Sequence, residues 1–258
     1  MDLRLDGRRV VLTAGAAGIG RATVESFVKA GARVVTCDID RSALDRLRSA
    51  LPDVIAIEAD VADPAAVGRL FEVARTELGG LDVLVNNAGI AGPTGAVETL
   101  ALDDWHRTFE VNITGQLLCT QHAVPLLRQA GGGAIVNLSS AAGRFGFALR
   151  TPYCASKWAV VGFTKALAIE LGPDQIRVNA VCPGPVEGER IDRVIAAKAA
   201  ARGVGFEAMK DEYVRTTSMR RMVRAEDVAS MILYLASDAG RLVSGQAIGV
   251  DGNVEYLR

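Results

Sequence analysis

Tyr153 and Lys157 stand four residues apart, an interval that places two side chains on one face of a helix, a turn from each other. A phenol is a poor base at its free pKa of about 10. An ammonium group one turn away stabilises the phenolate and lowers that value. A tyrosine held in this way can take the proton of a hydroxyl group while a hydride leaves the carbon that bears it, or return the proton in the reverse reaction. The lysine would also be in reach of a cofactor's ribose. Alone, Tyr-x-x-x-Lys is usually an amphipathic surface pair, so it gains meaning from what else the chain carries. Near the start, Thr13-Ala14-Gly15-Ala16-Ala17-Gly18-Ile19-Gly20 joins a strand-like run to a helical one. Glycines at such a junction let the backbone approach a pyrophosphate and leave helix N–H groups directed at it. Asp38 follows eighteen residues after Gly20, at the end of the next strand-like run. A carboxylate there can accept hydrogen bonds from both hydroxyls of an adenosine ribose and would repel a 2′-phosphate, which favours NAD over NADP. Asp40 is better placed than Asp38 to cap the helix that comes next.

These residues need a frame. Apolar, β-rich runs at Arg9–Ala14, Arg33–Cys37, Val54–Glu58, Val83–Asn86, Ala134–Ser139, Arg177–Cys182 and Ala247–Val250 are continuously hydrophobic, as expected of strands buried on both faces. Helical patterns lie between them, at about Gly18–Ala30, Arg41–Ala50, Ala65–Leu78, Asp103–Gln129, Pro152–Leu171 and Ala225–Ser237. The alternation predicts a single-domain α/β fold, a Rossmann-type doubly wound parallel sheet of about seven strands with helices on both faces. With 258 residues, half of them hydrophobic, the chain can build one large core. A net charge of −1, spread along the chain, offers no basic face for nucleic acid and no polybasic membrane tail. No apolar run is long enough to span a bilayer, and the N-terminal residues carry no signal-peptide pattern. Cys37, Cys119, Cys154 and Cys182 lack metal-ligand spacing and read as reduced thiols, so no metal is expected and the cytoplasm is the expected compartment. His106 and His122 fall in one helical stretch and read as surface or packing residues.

Further motifs complete the pattern. Asn86-Asn87-Ala88-Gly89 follows the fourth strand, Ser140 follows the fifth, and Tyr153 comes thirteen residues after Ser140. With these in place the chain resembles the short-chain dehydrogenase/reductase family along nearly its whole length. Thr13 to Gly20 resembles the family's glycine-rich turn, Asp60-Val61 its adenine-pocket pair, Asn86–Gly89 its NNAG motif, and Pro183-Gly184 its turn beside the nicotinamide. Asn112, Ser140, Tyr153 and Lys157 are similar to its catalytic tetrad. The resemblance implies that Tyr153 is the acid–base group and that Ser140, rather than its neighbour Ser139, bonds the substrate oxygen. Asn112 would fix a water linking Lys157 to solvent; the bland alternative is a mid-helix asparagine facing solvent. Two positions depart from the family. Its first glycine is Ala14 here, and Gly15 is expected to absorb the demanding torsions. Its usual threonine after the Pro-Gly turn is Gly188, which leaves backbone groups, such as those at Val186, to orient the nicotinamide. A homotetramer is also implied, built on helices carrying Leu117, Leu118, Val160, Val161, Phe163 and Leu167, although packing within one subunit leaves the same pattern.

The expected activity is an NAD-dependent interconversion of a secondary alcohol and a ketone. Two rivals are an NADPH-linked 3-oxoacyl reductase of lipid synthesis and a non-catalytic dinucleotide-binding scaffold. Glu187–Thr217, with Gly188 near its start, a helix-forming run from Ile195 to Arg202 and a break at Gly203-Val204-Gly205, reads as a substrate lid. The segment between Ser140 and Tyr153 should form a wall of the pocket. Its Arg144 and Arg150, with Arg190 and Arg193 of the lid, would suit an anionic handle. The favoured reading is that they are solvated or pair with Glu187, Glu189 and Asp192, while Phe145, Phe147 and Leu149 point equally well to an uncharged alcohol.

Overall fold

The computed structural model describes residue 3 and residues 5–254. Seven strands form one sheet: β1 (Arg9–Thr13), β2 (Arg33–Asp38), β3 (Ile55–Glu58), β4 (Val83–Asn86), β5 (Gly133–Leu138), β6 (Ile176–Pro183) and β7 (Ala247–Val250). All neighbouring pairs are parallel, in the order β3-β2-β1-β4-β5-β6-β7. The runs read as continuously hydrophobic because successive residues face different cores. Val10 and Leu12 enter one apolar cluster, with Val24, Phe27 and Ile232, and Val11 enters the other, with Leu70, Leu84 and Ile135. The order reverses between β1 and β4, and a parallel sheet opens a crevice at the carboxyl ends of its strands at such a switch point.

Helices α1 (Gly18–Lys29), α2 (Arg41–Ala50), α3 (Pro64–Leu78), α4 (Leu102–Phe109), α5 (Gly115–Gln129), α6 (Thr151–Leu171), α7 (Glu189–Arg202), α8 (Phe206–Arg215) and α9 (Ala225–Ala236) connect the strands. Local chemistry sets several of their ends. Asp40 caps α2 by accepting from the Ala43 N–H at 3.0 Å, and Asp63 caps α3, with Pro64 in its first turn. The single helix expected over Asp103–Gln129 is instead interrupted: a π-helical turn, Glu110–Thr114, lies between α4 and α5. The extra residue in that turn rotates the helix faces, and Asn112 ends up fully buried.

The segment after β6 is more helical than expected. α7 begins at Glu189, ahead of the run from Ile195, and α8 follows the break at Gly203. The two helices have a small core of their own, Ile195, Ala199, Met209 and Met222. Of the apolar helix positions, Val160 and Leu167 are buried within the subunit, whereas Leu117, Trp158 and Ile169 are exposed. Among the described residues no helix is long and apolar enough to cross a membrane. The four cysteines are free thiols, three of them buried.

Candidate active site

The glycine-rich turn leaves β1 under the control of Asn87. Its Nδ2 donates to the carbonyls of Thr13 and Ala14, both at 2.9 Å. In return Thr13 Oγ1 accepts from the N–H groups of Asn87 and Ala88, at 3.0 Å each. Thr13 therefore knits β1 to β4 across the switch point. The Asn86 side chain turns into the sheet, donating to Asn137 Oδ1 at 2.9 Å, and Asn87 is the neighbour whose side chain reaches the turn. The alternation of strand faces was the available signal, since the last residue of a doubly buried strand points inward. Ala14 is a correction. It takes the positive φ of +55° itself, and Gly15 is needed for a different reason: a Cβ there would lie 2.0 Å from Thr36 Oγ1. Gly20 packs as tightly, with space for no Cβ beside the Ala14 carbonyl. Gly18, at φ +53°, faces open space. No side chain caps α1, so the first N–H groups of the helix, from Gly18, Ile19 and Gly20, are directed at that space.

Asp38 sits where β2 ends. One carboxylate oxygen accepts from the Ala16 N–H at 3.1 Å, and the other accepts from the Ile39 N–H at 2.8 Å. The carboxylate is thus fixed beside the turn, and Asp40 serves as the helix cap. Asp60 accepts from the Ala62 N–H and pairs with Arg107 at 2.6 Å. Burial opposes its charge, but these two partners hold its carboxyl below the usual range. Val61 beside it is buried.

The other half of the site gathers at the ends of β4 and β5. Lys157 is 3% exposed, and its Nζ donates to the Leu138 carbonyl at 2.8 Å. Burial pushes its pKa down to about 8, against the opposing pull of Tyr153. Tyr153 is half-buried. Burial disfavours its phenolate, but Lys157, Arg190, a hydrogen bond with Ser140 and Arg150 outweigh that effect and bring its pKa below the ordinary value. Ser140 also accepts from the Ala142 N–H at 3.1 Å. Ser139 donates to the Lys157 carbonyl at 2.8 Å and so braces α6. Asn112 does not face solvent. Its Oδ1 accepts from the Ile90 N–H at 2.7 Å, and its Nδ2 donates to the Ile90 carbonyl at 3.1 Å and to Ser156 Oγ at 3.0 Å. A Cβ on Gly89 would lie 3.1 Å from Asn112 Oδ1 and 3.3 Å from Lys157 Nζ, so the three positions converge.

Past β6, Pro183 and Gly184 lead to Val186, which bridges to Val223. The bridge uses the Glu187 N–H and the Pro185 carbonyl, so the N–H and C=O of Val186 take no part in it. Gly188 has φ +129°, a conformation that β-branched residues avoid, which accounts for its standing in threonine's place.

The four arginines separate. Arg144 pairs with Asp251 at 3.3 Å, and Arg193 with Glu189 at 3.5 Å. Arg190 donates to the Gly89 carbonyl at 2.9 Å. Arg150 is neither solvated nor paired with the lid's carboxylates: it is 6% exposed and lies over the Tyr153 ring, 4.8 Å from its centroid. Sequence reasoning noted Asn87 only as part of the Asn86–Gly89 motif and missed Ser156 and Thr94, which carry no signal apart from their neighbours in space. A cavity of about 460 Å³ has Gly89, Ile90, Thr94, Arg150 and Arg190 among its walls, and Arg150 of that wall lies over the Tyr153 ring.

A family model described as enoyl-(acyl carrier protein) reductase matches residues 14–254. The cis-4-hydroxycyclohexanecarboxylate dehydrogenase of Sinomonas cyclohexanicum is 38% identical, over 95% of this chain and 95% of the relative. The 3-oxoacyl acyl-carrier-protein reductase of Thermotoga maritima is 36% identical, over 98% of this chain and 99% of the relative. The crystal structure of levodione reductase superposes with a TM-score of 0.92 at 27% identity, covering 96% of this chain and 98% of that one.

Proposed function

Because the chain belongs to the short-chain dehydrogenase/reductase family of oxidoreductases, we propose that it interconverts a secondary alcohol and a ketone with NAD, using Tyr153 as general acid–base. The observation that carries this reading is the placement of Tyr153. It stands at the carboxyl ends of β4 and β5, bonded to Ser140, with the cations of Lys157 and Arg190 lowering its pKa.

The residues present fit a dinucleotide. The uncapped first turn of α1 and the open space at Gly18 suit a pyrophosphate. The Asp38 carboxylate suits a ribose with free hydroxyls, and Asp60 with Val61 would flank the adenine. Ala88, Gly89, Pro183, Gly184 and the backbone of Val186 would border the nicotinamide. When bound, NAD supplies the hydride acceptor. Ser140 bonds the substrate oxygen and stabilises its charge as alcohol becomes carbonyl. Tyr153 takes the hydroxyl proton, and Lys157 stabilises the phenolate, which lowers the pKa of that hydroxyl. Asn112 positions this group: its clamp on Ile90 and Ser156 fixes the floor under Lys157, next to which a water could carry the proton to solvent. Residues 187–217 form the lid. The exposed Leu117, Trp158 and Ile169 support a homotetramer, and the reduced thiols a cytoplasmic location.

The experiment is turnover of a panel of secondary alcohols and ketones with NAD and NADP, followed by nicotinamide absorbance, for wild type and Tyr153→Phe. Loss of several orders of magnitude in kcat with NAD affinity kept is expected, because only the proton-transfer hydroxyl is gone. A variant that retains a tenth of the wild-type kcat sinks the assignment. The 3-oxoacyl reductase reading requires a preference for NADPH, which the carboxylate of Asp38 opposes, and the scaffold reading requires no turnover at all.

A further inference from the structure

We propose that the substrate is a hydroxy acid or its oxo acid, with the carboxylate seated on Arg150 and the reacting oxygen on Tyr153 and Ser140; this rests on the activity proposed above. A buried charge is costly unless it is paired and hydrogen-bonded. Arg150 is 6% exposed, yet among the described residues no carboxylate pairs with it. Of its five N–H donors, Nη1 donates to the neutral Thr94 Oγ1 at 3.1 Å. Arg177, a partly buried arginine, shows the contrast: its guanidinium donates to the carbonyls of Leu235, Ser237 and Gly240. Desolvation holds the Arg150 pKa below its ordinary value, and the charges acting on it come from tyrosines, a cysteine and Arg190, with no carboxylate among them.

The surroundings point the same way. The cavity is lined by Arg150, Arg190 and Arg193 and by no acidic side chain. Lys198 adds a further buried cation from α7, held over the Tyr213 ring at 5.1 Å. The backbone leading to Arg150 is strained, for Leu149 has φ +65°. A bulky residue is disfavoured in that region and persists where the surroundings demand it. Here it turns Arg150 inward over Tyr153. A carboxylate is planar and fits the guanidinium fork with two parallel bonds. Because Arg150 stacks on the Tyr153 ring, the two ends of the substrate are separated by a short carbon skeleton. In the forward reaction the carbinol carbon gives its hydride to NAD and its hydroxyl proton to Tyr153; the carboxylate is unchanged.

The test compares hydroxy acids with their neutral amides and methyl esters, in wild type, Arg150→Gln and Arg150→Lys. Wild type should favour the acid in kcat/KM by roughly tenfold to a hundredfold, the range of one charge-assisted pair. In Arg150→Gln the ratio of acid to amide should collapse to about one, with Arg150→Lys between. A wild type indifferent to the charge, or an Arg150→Gln variant that keeps the preference, overturns the proposal. If Arg150→Gln does not fold, the wild-type ratio and the Arg150→Lys variant decide. If no alcohol of either kind turns over, the activity reading has failed, and calorimetry with benzoate and benzamide tests the site by itself: benzoate binding that weakens in Arg150→Lys upholds the anion site, and equal or absent binding of the two overturns it.

Discussion

Gly20→Ala tests whether the glycine turn is held as described. A Cβ at Gly20 would lie 1.9 Å from the Ala14 carbonyl oxygen and 2.7 Å from Asn87 Nδ2. Ordinary contact begins near 3.4 Å, so the carbonyl must retreat by about 1.5 Å. That movement takes it away from Asn87, whose Nδ2 bonds to the Thr13 and Ala14 carbonyls at 2.9 Å tie β1 to β4. Overpacking of this kind costs typically about 1–3 kcal/mol, and weakening two buried hydrogen bonds adds about 1 kcal/mol each at most. A destabilisation of about 3 kcal/mol corresponds to a fall in Tm of about 6–12 °C for a chain of this size. The same displacement moves the N–H groups that would meet the pyrophosphate, so NAD affinity should drop at least tenfold, about 1.4 kcal/mol. Scanning calorimetry and NAD titration of the folded variant measure the two effects. Ala14→Gly is the companion variant. It removes an αL penalty of about 1–2 kcal/mol and gains back about 0.5–1 kcal/mol of chain entropy cost, so Tm should hold or rise slightly. If Gly20→Ala changes Tm by less than about 2 °C and binds NAD as wild type does, the clamp described here is wrong.

Oxidation needs Tyr153 as phenolate, and its pKa lies below the ordinary value of about 10; the oxidation rate should therefore rise with pH through a midpoint under that value, while reduction, which needs the phenol, falls over the same range. Lys157→Met removes the cation that most offsets burial of the phenolate and should move the midpoint upward; a flat profile over about pH 6–10, with chemistry rate-limiting, refutes Tyr153 as base. Wild type should prefer NAD to NADP by roughly tenfold in kcat/KM, and Asp38→Asn, which keeps an acceptor for the Ala16 N–H but loses the charge, should narrow the gap; a wild-type preference for NADP would contradict the ribose role. Amide hydrogen exchange in residues 187–217 should be fast in the free protein and slower in the ternary complex, whereas equal strong protection in both states means a rigid subdomain.

The sheet was legible because its strands are buried on both faces, so Val10–Leu12 or Val83–Val85 read as unbroken apolar runs whatever packs on them. Its strand order was not read from the sequence, because burial on both faces looks the same for every interior strand. Where side chains point was harder to read. Asn86 and Asn87 are adjacent and identical, and only strand pleat decides that Asn86 bonds to Asn137 in the sheet while Asn87 holds the turn. Asn112 shows another limit. The helical pattern around it runs on without a break from Asp103 to Gln129, because a π-helical turn inserts one residue without any glycine or proline to mark it. The side chain that would otherwise meet solvent is turned to Ile90 and Ser156.

The arginines mark where local reading ends. In sequence, Arg190 and Arg193 lie among Glu187, Glu189 and Asp192, and the simplest inference is that neighbouring opposite charges pair. For Arg193 the structure agrees. For Arg190 it does not, because the start of α7 directs that side chain across the crevice to the Gly89 carbonyl, and the nearest carboxylates remain on the outer surface. Arg150 has no acidic neighbour in sequence, and the turn through Leu149 buries it where, among the described residues, no carboxylate pairs with it. Charge pairing along a chain follows from composition, but a buried cation without a partner follows only from tertiary structure. Such a group raises stability only if something else supplies the anion. In this site three cations surround one phenol, and the pKa of Tyr153 falls because Lys157, Arg190 and Arg150 all face it. Under the proposed activity, the arrangement that would make the tyrosine a usable base is thus the same one that would leave a positive charge open to the substrate.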